Sequence, residues 1–178
     1  MPRRPKGCPP PKRLNVPRSA SDPAALAVPE LARSALDTGE LETAVGFWLR
    51  LAQQLDLREF TRRLAESGLN QLAYSILLVV EANPGCRQTD LGSALRIRQP
   101  NLVEPLESLA ARGLISRAPD PRDRRAQVLA LTPAGSELLA ALKAAHGEMI
   151  EGYRARLGED GYGQLITLLR LFVDGAGA

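Results

Sequence analysis

The sequence predicts a mostly α-helical fold with one small β-hairpin. Apolar residues recur at helical spacing in successive segments, and a single pair of short strand-like runs flanks a charged Pro-Asp turn. Aromatic residues make up only 4% of the chain, so its core must be built mainly from Leu, Ala and Val. With 178 residues, 44% of them hydrophobic, the chain has the length of one domain, or of one domain with an extension.

Residues 1–29 hold eight of the fourteen prolines, six basic residues and one acid. Such a composition cannot bury enough apolar surface to offset its ordering entropy, and it reads as a disordered, basic, Pro-rich arm. The folded part is expected over residues 30–174. A long helix is expected over 38–66, with Thr38 as its cap, Leu41, Val45, Trp48, Leu49, Ala52 and Leu55 at helical spacing, and Ser67-Gly68 as its end. A second helix follows from about Asn70 to Ala82. Its run Ile76-Leu77-Leu78-Val79-Val80 also suits a buried strand, but the flanking spacing of Leu69, Leu72, Ala73 and Ile76 favours a buried helix. Asn83-Pro84-Gly85 stops it.

A short helix is expected from Thr89 to Leu95, and another from Gln99 to Arg112 with Gly113 just past its end. Leu114 to Ala118 and Ala126 to Leu131 read as the two strands of the hairpin, joined by Pro119-Asp120-Pro121-Arg122-Asp123-Arg124-Arg125. Thr132-Pro133 starts a further helix as cap and first helical position, and a last helix spans Glu159 to Val173. Pro105 falls inside the helix expected from Gln99, where it removes the N–H that would bond the Asn101 carbonyl.

Charge and composition exclude several classes. The net charge is +3, and the arm alone contributes +5. Residues 83–131 contribute another +3 through eight arginines and five acids, which leaves −5 for the remaining helices. The body is therefore basic in one segment and acidic elsewhere, the footprint expected of phosphate contact. No apolar run reaches the roughly 18 residues that span a bilayer, and no secretory pattern follows the basic start, so a cytoplasmic protein with no membrane partner is expected. Two cysteines make no disulfide framework. A single histidine, no Gly-rich phosphate loop and no clustered metal ligands argue against an enzyme, a metal site or a bound cofactor.

Within residues 83–131 the order is helix, turn, helix, hairpin. Leu91, Leu95, Ile97, Leu102, Leu106 and Leu109 would pack the two helices across a tight turn and leave the start of the second exposed. An α-helix presented this way fits the major groove of double-stranded DNA, with the hairpin beside it as a wing. The residues placed near that start are Gln99, Pro100, Asn101 and Glu104, and Gln and Asn can pair bidentately with adenine. Gln88 and Thr89, at the start of the preceding helix, are phosphate candidates, and Arg98 and Arg112 flank the second helix.

The chain resembles the MarR family of bacterial winged-helix transcriptional regulators. The resemblance lies in Glu81-Ala82-Asn83-Pro84-Gly85, Gln88-Thr89-Asp90-Leu91 and Leu109-Ala110-Ala111-Arg112-Gly113-Leu114-Ile115. It is most specific in Asp120-Pro121-Arg122-Asp123-Arg124-Arg125 followed by Leu131-Thr132-Pro133-Ala134-Gly135, and it covers about residues 38–174. It implies a winged helix-turn-helix over 69–131, with N- and C-terminal dimerisation helices at 38–66 and 132–174. It also implies a homodimer that reads a pseudo-palindromic operator as a repressor. Asp123 and Arg125 match the family's wing Asp-x-Arg, in which the Arg reaches into the minor groove and the Asp orients it; Arg122 and Arg124 are then phosphate candidates.

A small-molecule effector would release such a repressor. The segment around Asn83-Pro84-Gly85 is similar to relatives that respond to aromatic acids or their coenzyme A thioesters. Trp48, Arg50, Phe60 and Tyr74 are the residues expected to line the effector site, although aromatics on helices more often serve as core or interface. Cys86 has no resolving cysteine beside it and reads as an inert thiol, and His146 reads as surface or interface. The other reading is a winged-helix module for protein–protein contact, which would need neither Asp123 nor Arg125 and would carry an apolar second helix.

Overall fold

Gly39 stands at φ +54, a left-handed backbone that a helix cannot continue through, and it separates Thr38 from the first helix. Residues Gly39–Thr43 coil instead as a 3-10 turn, held by the Thr43 hydroxyl donating to the Glu40 carbonyl at 2.8 Å. Helix α1 (Val45–Leu64) therefore starts beyond the expected position, with Ala44 and not Thr38 at its cap. The computed structural model describes residues 36–121, 123 and 126–175; the arm over residues 1–29 and the side chains of Arg122, Arg124 and Arg125 lie outside them.

At the far end of α1, Ala65–Ser67 tightens into a 3-10 turn closed by Gly68, as the Ser-Gly pair predicts. Buried Ser67 donates to the Leu64 carbonyl at 2.6 Å and accepts the Leu69 N–H at 3.1 Å. Helix α2 (Gln71–Ala82) is capped by Asn70, whose side chain accepts the Ala73 N–H at 2.8 Å, a contact worth about 1 kcal/mol. The run from Ile76 to Val80 is helical. α2 is the central element, so it is apolar on nearly every face, and Ile76, Leu77 and Val80 are fully buried.

Past Asn83, strand β1 (Cys86–Arg87) leads into α3 (Gln88–Leu95), and α4 (Pro100–Ala111) follows the turn. α4 ends in the pattern its glycine predicts: Gly113 donates to Ala110 and Leu114 donates to Leu109, with Leu109 and Leu114 both buried. Pro105 is accommodated inside α4, at the loss of one backbone bond to Asn101. Strands β2 (Ile115–Pro119) and β3 (Gln127–Leu131) pair antiparallel, with Arg117 opposite Leu129. The hairpin gains a third strand that its sequence pattern does not reveal. β1 pairs with the free edge of β3, giving the order β1-β3-β2, and two residues are too few to show a strand period.

The last element, α5 (Pro133–Gly175), starts where Thr132 accepts the Gly135 N–H at 3.0 Å. Its helical backbone breaks at Gly158, so the two expected C-terminal helices are two arms meeting at that residue. Phe60 and Leu64 of α1 join the core around α2 with Leu91, Leu102, Leu106, Leu109, Leu129, Leu139, Leu142 and Met149. The arm of α5 beyond Gly158 is different. Leu165, Leu168, Leu171, Phe172 and Val173 stay exposed, as do Leu41, Val45 and Trp48 near the start of α1. Among the described residues no helix is long and apolar enough to cross a membrane.

Candidate nucleic-acid interface

The start of α4 is presented to solvent. Pro100, Asn101 and Glu104 are exposed there, as are Arg98 in the preceding turn and Thr89 in the first turn of α3. Leu102, Leu106 and Leu109 bury the opposite side of the same helix. This alternation of exposed polar and buried leucine positions is what aims Asn101 and Glu104 outward.

Two expected contacts are placed otherwise. Gln99 is half-buried, and its side-chain amide donates inward to the carbonyls of Gln88 and Thr89 at 3.3 and 3.5 Å. It pins the start of α4 to the start of α3 and is not one of the outward-facing residues. Gln88 is itself half-buried and supplies one of those carbonyls. Arg112 lies at the other end of α4, about 16 Å along the axis from Asn101. Its guanidinium donates to the Ser67 carbonyl at 2.7 Å and the Gly68 carbonyl at 3.4 Å, bracing α4 against the α1–α2 junction.

The neck of the wing is closed by backbone bonds. The Asp120 N–H donates to Ala126, Asp123 donates to the Asp120 carbonyl, and Ala126 donates to Asp123. Asp123 is exposed, while Asp120 is buried. The Arg87 Nε and Nη2 each lie 2.6 Å from one Asp120 carboxylate oxygen. That pairing keeps Arg87 firmly cationic, since the hydrogen bond and the charge of Asp120 both raise its pKa. The sequence reading missed the pair. Arg87 entered it only as one of eight arginines, and 33 residues separate it from Asp120. The available signal was its place directly before the start of α3.

The residues expected to line an effector site fall into two separate groups. Trp48 is exposed, donates to the Glu42 carbonyl at 2.8 Å, and meets Phe47 edge-on at 5.4 Å; the Arg50 guanidinium covers the same Phe47 ring. Phe60 lies about 18 Å farther along α1, inside the core, with its ring 5.6 Å from Tyr74. The residues that gather around Tyr74 are others. The His146 ring lies 5.1 Å from it, and His146 is half-buried. Nearby, Tyr153 donates to Asp56 at 3.1 Å, and Gln71 donates to the other Asp56 oxygen. Asp56, Gln71, His146 and Tyr153 come from α1, α2 and α5, and no local pattern links them. Burial, then the charge of the Asp56 carboxylate that accepts its hydrogen bond, pushes the Tyr153 phenol far up, so it remains a hydrogen-bond donor.

Burial pushes His146 below the ordinary imidazole value, against the opposing pull of Asp56. The unfolded chain keeps the ordinary value and takes up a proton first as pH falls, so stability drops below about pH 6.5. The melting temperature is expected to fall between about pH 7 and pH 5, and His146→Gln to remove part of that fall. An unchanged pH profile in the variant would take His146 out of the account.

A model of the MarR family matches residues 67–126. The chain is 34% identical over 133 residues to a Thauera aromatica protein named for transcriptional regulation of the hcr operon, covering 74% of this chain and 80% of that one. Among solved structures it resembles the transcriptional repressor CouR bound to a 23-mer DNA duplex, with a TM-score of 0.76 and 34% identity over 79% of this chain and 99% of that one. CouR bound to p-coumaroyl-CoA matches with a TM-score of 0.71 and 32% identity, over 78% and 97% of the two chains.

Proposed function

Because the chain belongs to the MarR family of transcriptional regulators, we propose that it is a homodimeric repressor whose two winged lobes read a pseudo-palindromic operator, and that a small aromatic effector releases it. The observation that carries this reading is the exposed start of α4, with Asn101 and Glu104 outward, on the lobe where the basic residues concentrate. Asn101, Glu104, Pro100 and Arg98 meet base edges and the adjoining backbone in the major groove. Thr89, with the backbone of Gln88, meets a phosphate at the start of α3. Arg125, oriented by Asp123, enters the minor groove, and Arg122 and Arg124 meet flanking phosphates. Gln99 and Arg112 hold the frame that presents them.

The effector is an aromatic acid or its coenzyme A thioester, a class supported by the likeness to CouR bound to p-coumaroyl-CoA. It acts by population shift. A hundredfold loss of operator affinity requires that the effector prefer the released geometry by about 2.7 kcal/mol.

A mobility-shift titration against the intergenic DNA beside the gene tests the reading. One retarded complex is expected, with Arg125→Ala weakening it by about 10- to 100-fold. Addition of p-coumaroyl-CoA, as a probe of the effector class, is expected to dissolve the complex. If no fragment is retarded at low salt and Arg125→Ala behaves like the parent, operator binding is wrong.

A further inference from the structure

We propose that Arg87 is a positioning residue for the wing: its ion pair with Asp120 locks the neck of the hairpin to the first turn of α3 and so sets how far the wing tip stands from the helix-turn-helix. The proposal rests on the operator-binding reading only for its consequence; the lock itself belongs to the DNA-free chain.

Register explains how the pair forms. Arg87 stands opposite Val128 in β1–β3, and Val128 stands opposite Ala118 in β3–β2. Arg87, Val128 and Ala118 therefore form one row across the sheet, and Asp120 lies two residues beyond Ala118 on the same face. The Arg87 side chain spans β3 to reach a residue past the end of β2. Asp120 is only 5% exposed, and a carboxylate so placed needs a cation or several donors to remain charged. Arg87 gives it a hydrogen bond from Nε and the charge of Nη2 at 2.6 Å from the same oxygen.

Position gives the pair its role. The Asp120 backbone closes the neck with Ala126 and Asp123. On the other side, Arg87 is followed at once by Gln88, the first residue of α3. Between neck and helix lies a cleft of about 680 Å³ lined by Gly85, Arg87, Asp90, Asp120, Pro121 and Val128. The guanidinium bridges the cleft and adds a side-chain tie between its two borders to the backbone pairing of the sheet.

Two measurements test this, the first without DNA. Hydrogen exchange at the Asp123 and Ala126 amides is expected to speed up about tenfold in Arg87→Met and in Asp120→Asn, with α2 amides unchanged and Arg87→Lys partly restoring protection. Unchanged exchange at the neck would overturn the lock even if the protein binds its operator. The second is a double-mutant cycle on a retarded fragment. Arg87→Met is expected to weaken binding about tenfold in the parent and not at all in the Arg125→Ala background, because both act through the wing. An equal loss in both backgrounds, with the salt slope reduced by about one, would mean that Arg87 itself meets a phosphate and would overturn the positioning role.

Discussion

Gly135→Ala is expected to destabilise the chain by about 3 kcal/mol or more, seen as a large drop in the urea midpoint with the slope retained. A Cβ at residue 135 would lie 1.9 Å from the Leu114 carbonyl oxygen and 2.9 Å from its carbon. The obstruction is backbone, so no side chain can rotate away. That backbone is also tied in place. The Leu114 carbonyl accepts the Thr132 N–H at 3.1 Å, the Thr132 hydroxyl donates to Gly113 at 2.6 Å, and the Gly135 N–H donates to the same hydroxyl oxygen at 3.0 Å. Relieving the clash means pulling the start of α5 away from the end of α4, at the base of the wing. Gly147→Ala is the control, because nothing lies within 4 Å of a Cβ there. In a helix interior that change is expected to stabilise by about 0.5–1 kcal/mol. Equal midpoints for Gly135→Ala and the parent would show that the close approach does not exist.

Leu168→Glu with Leu171→Glu is expected to break the proposed homodimer and to abolish operator retardation at concentrations where the parent binds. Leu168 is 63% exposed and Leu171 66%, and with Phe172 and Val173 they form an apolar surface that the described residues do not cover. Burying one such leucine against a second copy contributes about 1.5–3 kcal/mol, and each position counts twice across a two-fold axis, once per protomer. A carboxylate there would be buried without a partner, which disfavours the dimer. Both substitutions lie far from the core around α2, so the monomer is expected to melt as a folded protein. Light scattering after gel filtration reads the mass. A parent that is monomeric at micromolar concentration would remove the dimer from the proposal.

Much of this fold is legible residue by residue. Gly113 and Thr132 act through atoms only a few positions away, so this stop and this cap stand where the sequence places them. The leucines of α3 and α4 repeat often enough to declare which side is buried. The start of α1 departs from the expected position for an equally local reason: Gly39 takes a left-handed φ directly after Thr38, and a period count does not register it. The candidate site was legible wherever a short spacing carries the meaning, as at Asn101 and Glu104.

The remainder depends on which distant segments meet. A sequence of polar residues shows that Gln99 and Arg112 can donate hydrogen bonds. Only the folded chain turns them onto the carbonyls of Gln88, Thr89, Ser67 and Gly68 and away from solvent. The same holds for Arg87 with Asp120, and for Asp56 with Gln71 and Tyr153. Helix periods, caps and turn chemistry are properties of a few neighbouring residues, whose energies the local sequence contains. Pairings across 10 to 97 positions follow from packing the helices around α2, which no short window of sequence records.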